Sequence, residues 1–108
     1  MTLTEIATMV NGIGLPNRYD HFTDSPAPPY IVFYVPAESD FMADDSNYTN
    51  RVQLHIELYT KGKDITNESA VEDALRANGL TWYKQTDFLS DELIYQTVYE
   101  CEVILNGE

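Results

Sequence analysis

The sequence predicts an α+β domain: a four-stranded, mostly antiparallel sheet with two helices packed on one face, in the order α-β-β-α-β-β. Three observations carry this. Residues 49–60 (TNRVQLHIELYT) alternate Val52, Leu54, Ile56 and Leu58 with Arg51, Gln53, His55, Glu57 and Tyr59, the two-residue period of a strand with one core face. Residues 1–13 and 65–78 space their apolar residues by three and four, the period of a helix with one buried stripe. A hydrophobic content of 44% with 12% aromatics, over 108 residues, suffices for one core and predicts a single domain over 1–108.

The opening helix places Leu3, Ile6, Met9, Val10 and Ile13 on one stripe, with Thr2 or Thr4 as cap and Gly12 with Gly14 as stop. A Pro-rich connection follows at residues 15–29, where Pro16, Pro26, Pro28 and Pro29 exclude helix and interrupt a sheet ladder; it admits one short strand around residues 18–22. Residues 30–35 (YIVFYV) hold no charged residue and predict a central strand covered on both faces. Residues 38–50 form an acidic, turn-rich stretch read as a projecting loop or arm, bearing Phe41, Met42 and Tyr48.

After the alternating strand and a KGKD turn, the second helix buries Ala70, Val71, Ala74 and Leu75 and exposes Glu68, Glu72, Asp73 and Arg76, with Gly79 as its left-handed stop. Residues 80–87 and 92–105 are two further strands, turning near Ser90 and Asp91. In the last, Tyr95, Thr97, Tyr99, Cys101 and Val103 share a face opposite Gln96, Glu100 and Glu102. The face bearing Arg51, His55, Glu57, Gln96, Glu100 and Glu102 meets water or a neighbour.

Charge narrows the function classes. Eighteen Asp and Glu against six Lys and Arg give a net charge of −12, which disfavours specific binding to nucleic acid or an anionic membrane, since both need clustered cations. Cys101, the single cysteine, forms no intrachain disulfide and suits a reducing cytoplasm; no basic, apolar leader or membrane-length apolar run is present.

Catalytic signatures are missing as well. Only His21 and His55 could serve a nucleophile, and neither stands in a nucleophile motif; His55 falls on the polar face of a strand, where a solvated role suffices. The glycines of GIG follow a helix instead of opening one, so they do not cradle a phosphate. Asp40, Asp44, Asp45 and Asn47 offer hard oxygen donors without the spacing, mid-loop glycine or closing glutamate of a calcium loop. The expectation is no catalytic residue, no metal and no cofactor, with Cys101 a buried small apolar residue.

The succession of an amphipathic opening helix, PPYIVFYV, an acidic NYTN-containing stretch, RVQLHIELYTKGKD, ESAVEDALRANG, LTWYKQTDFL and LIYQTVYECEVIL resembles the small tail-completion proteins of long-tailed phages and prophages. These are the head-tail joining or tail-terminator type, including the minor capsid family of prophages from Gram-positive hosts. The resemblance covers nearly the whole chain as order and pattern. It implies a virion component made in the host cytoplasm, a homo-oligomeric ring, commonly a hexamer, that caps the tail tube where it meets the head connector. Its partners are then itself, the tail-tube protein and the head-connector protein, and the family has no catalytic residues to carry over.

A ring needs heterologous contacts, one patch of each subunit on a different patch of the next. The candidate interface residues are Phe41, Met42, Asp44, Asp45 and Tyr48 in the acidic stretch, with Pro28 and Pro29 in the Pro-rich connection. An acid-lined lumen would let a genome slide through without sticking. The competing reading is a small acidic inhibitor or regulator that imitates nucleic acid and occupies the basic groove of a host protein. It requires carboxylates arrayed over one surface.

Overall fold

A computed structural model describes residues 1–36 and 50–105. The elements are α1 (Leu3–Asn11), β1 (Asn17–Tyr19), β2 (Tyr30–Tyr34), β3 (Asn50–Thr60), α2 (Ile65–Ala77), β4 (Tyr83–Leu89) and β5 (Ile94–Leu105). They build one five-stranded sheet in the order β1-β2-β3-β5-β4. The α+β class and the two helices match the expectation, whereas the sheet has five strands in place of four and is mixed. β1 runs parallel to β2, and every other pair is antiparallel. This extra strand spans Asn17–Tyr19, overlapping the short strand that the sequence admits around residues 18–22. Asp20 ends it with φ of 72°, its N–H donating to Phe33 O, and a three-residue strand leaves too short a run for periodicity to mark it.

Local signals explain the helix limits. The Thr2 hydroxyl accepts from Glu5 N–H while the Glu5 carboxylate accepts from Thr2 N–H, a reciprocal cap. Asp64 caps α2 by accepting from Asn67 N–H. At its end, Gly79 adopts φ of 73°, so that Gly79 N–H reaches Arg76 O and Leu80 N–H reaches Leu75 O, the paired bonds of a Schellman stop. β4 begins three residues later than the sequence predicts and runs two further, because residues 90–93 close the hairpin with Leu89 paired to Ile94.

Both helices lie on one side. Ile6, Met9 and Val10 of α1 and Val71 and Leu75 of α2 share a cluster with Ile31, Phe33, Val52, Leu54, Ile56, Leu58, Tyr99, Cys101 and Val103. The strand residues of that cluster alternate in sequence and face each other across the register, as in Ile31 with Leu58, Ile56 with Tyr99 and Leu54 with Cys101. Leu3 stays exposed and Ile13 half-buried, so the α1 stripe is shorter than its spacing predicts.

β2 is covered on both faces, as expected of an uncharged run. Ile31 and Phe33 face the helices, while Tyr30 and Val32 are buried on the other side. There Tyr30 stacks on Tyr59 at 4.8 Å and meets Phe22 edge-on at 5.4 Å; the Arg18 guanidinium lies over the Phe22 ring at 5.7 Å. The Pro-rich connection therefore supplies covering side chains at this edge. Leu54 is fully buried at the middle of the core. Leu54→Ala is expected to cost about 2–5 kcal/mol, read from urea denaturation midpoints.

Candidate functional site

Two polar constellations occur among the described residues, one on each side of the sheet. The first joins the helical layer to the edge strand. Glu68 is 5% exposed, against the expectation of a wet residue. It lies three residues before Val71 and seven before Leu75, hence on the buried stripe of α2, a position its spacing disclosed and its residue type hid. Lys84 of β4 donates to Glu68 Oε1 at 2.9 Å and to Glu72 Oε2 at 2.8 Å, and Lys63 donates to Glu68 Oε2 at 3.0 Å. Tyr99 Oη donates to Glu72 Oε2 at 3.0 Å.

The electrostatics make this a brace. Burial raises the Glu68 pKa, but hydrogen bonds from Lys84 and Lys63 outweigh it, and the carboxyl ends below its ordinary value. Hydrogen bonds to Glu72 and then Glu68 hold Lys84 above the usual ammonium value, so its nitrogen stays protonated and is neither base nor nucleophile near neutrality. Burial, then the bond to Glu72, pushes Tyr99 up as well, keeping the hydroxyl a donor.

The second constellation lies on the face without helices. Its rows run Tyr30–Tyr59–Gln96–Asp87, Val32–Glu57–Val98–Gln85 and Tyr34–His55–Glu100–Tyr83 across β2, β3, β5 and β4. Glu57 accepts from Tyr59 Oη at 2.9 Å and from Tyr34 Oη at 3.1 Å, one hydroxyl on each carboxylate oxygen. Gln96 Nε2 donates to Tyr59 Oη at 2.8 Å. Burial first, then the bond to Glu57, raises the Tyr59 pKa.

His55 differs from the solvated residue the sequence predicts. Its side chain is 19% exposed, packed against the Tyr34 ring at 5.1 Å, with Nε2 3.6 Å from Glu100 Oε2. That separation is too long for a hydrogen bond. His21, in contrast, is exposed and pairs with Asp20 at 2.8 Å. The two histidines stand in separate elements, His55 in β3 and His21 just after β1.

Among the predicted interface residues, Pro28 and Pro29 are half-buried immediately before β2. Phe41, Met42, Asp44, Asp45 and Tyr48 lie outside the described residues, as do Asp40 and Asn47. Among the described residues no three His, Cys, Asp or Glu side chains gather closely enough to hold a metal ion, and no helix is long and apolar enough to cross a membrane. Cys101 is fully buried, and burial pushes its thiol up to about 12.

Sequence reasoning missed the tyrosine network around Glu57 because Tyr34 and Gln96, on other strands, reach Glu57 and Tyr59 only after pairing. No family model, curated protein or solved structure matches the chain.

Two measurements check these environments. Because the folded pKa of Glu68 is depressed, its stabilisation is present above the unfolded value of about 4.3 and is lost as pH falls through the folded value. Glu68→Gln is therefore expected to flatten the acid limb of stability against pH, followed by urea titrations from about pH 6 to about pH 3. For Cys101, iodoacetamide alkylation near pH 8 should be at least about 100-fold slower in the native protein than in urea.

Proposed function

We propose that this chain is a structural component of a long-tailed phage or prophage virion, a tail-terminator or head-tail joining protein that forms a ring between tail tube and head connector. The observation that carries the assembly role is the exposed edge at β4. Among the described residues β4 pairs with β5 alone, and at this edge and its hairpin Tyr83 is 67%, Phe88 50% and Leu93 67% exposed. A seven-residue edge with an unpaired backbone ladder and exposed apolar side chains invites another chain, and natural proteins cover or charge such edges. A ring supplies that cover through a heterologous contact.

The constellations described above fit a contact protein in another way. The lysine and carboxylates behind β4 brace it against α2, giving the edge a rigid backing, and Glu57 is held in place by two tyrosines. Assignment to the phage tail rests on the resemblance in element order, and so does the hexameric state. The acidic stretch with Phe41, Met42, Asp44, Asp45 and Tyr48 is proposed as a second contact surface, and the −12 charge as the lining of a lumen that repels phosphate. The nucleic-acid imitator is less well supported, since Glu68 and Glu72 are engaged by lysines, which leaves them poor members of a phosphate-like array.

Light scattering of the chain alone and mixed with tail-tube protein tests the reading. Ring-sized species or capped tubes are expected, and both should be lost in Phe88→Glu and Leu93→Glu, exposed changes that cost only about 0.5 kcal/mol of fold stability. A chain that stays monomeric with tube protein present, and leaves tube length uncontrolled, would overturn it.

A further inference from the structure

We propose that the helix-free face of the sheet is the docking surface for a cationic, extended segment of a different protein, whose arginine or lysine side chains enter the depression between Tyr34 and Tyr83. The depression adjoins the β4 edge at Tyr83 but lies on the face of the sheet, and the proposal does not rest on the ring reading.

The face has the composition of a contact surface. Tyr34, Tyr59 and Tyr83 alternate outward with Val98 between them, and Tyr is enriched where binding energy concentrates because it buries area at small entropic cost. The depression measures about 260 Å³, below the range of small-molecule pockets, roughly 300–1,000 Å³, and suited to side chains delivered by a segment.

Charge complementarity selects the occupant. Glu57, Asp87, Glu100 and Glu102 share this face, where Arg51 already stands against Glu102 and the His55 ring against Glu100, each at 3.6 Å. Glu57 has accepted one hydroxyl on each oxygen, so one lone-pair direction per oxygen remains, the pattern that a guanidinium fork fills. Tyrosine rings at the rim add favourable contact to a cation passing over them. A second copy fits poorly: face-to-face pairing would set these carboxylates against themselves. The chain also has little basic surface to offer, since four of its six Lys and Arg, namely Lys63, Lys84, Arg76 and Arg51, are each set against a carboxylate, and a fifth, Arg18, lies over the Phe22 ring.

The test is a ¹H–¹⁵N NMR titration of the full chain with a six-residue peptide alternating arginine and valine. Saturable shifts are expected on residues of the three rows, with about tenfold or greater weakening in Glu57→Gln/Glu100→Gln and less than about twofold in the charge-matched Asp24→Asn/Asp91→Asn. Glu100→Gln alone, beside His55, keeps the test open should Glu57→Gln unsettle its tyrosines; it is expected to weaken binding by about threefold or more. A peptide alternating glutamate and valine should not bind. Equal weakening in both double variants, shifts centred elsewhere, or a dilution-sensitive dimer dispersed by Glu57→Gln/Glu100→Gln would each overturn the proposal. Loss of ring formation with this titration intact would sink the ring reading alone, and the reverse result would sink this one alone.

Discussion

Eleven consecutive residues of β3 pair with β5, and the two-residue pleat of that ladder governs everything packed on it. Slipping the pairing by one residue would turn Val52, Leu54, Ile56 and Leu58 away from the helices and bring Arg51, His55 and Glu57 into the core. The cost of burying those polar and charged groups excludes any slip by an odd number of residues from a packed helical layer. Both faces then inherit their roles from it, one as a seat for α1 and α2, the other as a pleated surface of tyrosines and carboxylates.

Polar groups inside that framework are placed where they tie layers together. Glu68 is expensive to bury, and an unpaired carboxylate there would destabilise the fold by several kcal/mol. Two lysines meet it, one from the turn before α2 and one from β4. Since Lys84 also meets Glu72, and Tyr99 of β5 donates to the same carboxylate, α2 is linked to both strands of the terminal hairpin. A stiff hairpin lowers the ordering cost of any contact made at its outer edge. That links a buried ionic cluster to an exposed sheet edge.

Two surfaces remain with different physics. The β4 edge offers backbone hydrogen-bonding groups and exposed apolar side chains, which suit strand addition or close packing by a neighbour. The helix-free face offers fixed aromatic rings and negative charge, which suit a partner of opposite sign and repel a copy of the same chain. For the assembly role proposed above, such a division would keep the ring contact apart from the contact with an unlike protein.

Local sequence by itself determined the two helices, the four longer strands, the stop at Gly79 and the inward side of β3 and β5, because each follows from spacing within a few residues, and it narrowed the first cap to Thr2 or Thr4. It also carried the position of Glu68 on the α2 stripe, although charge argued the other way. Only the tertiary structure decided that β1 joins the sheet in parallel, that Lys63 and Lys84 converge on Glu68, that Phe22 and Arg18 cover β2, and that Tyr34, Tyr59 and Gln96 form one network with Glu57. These depend on which strands become neighbours, and residues such as Tyr34 and Glu57, 23 positions apart, meet only through the β2–β3 register, which no local pattern encodes.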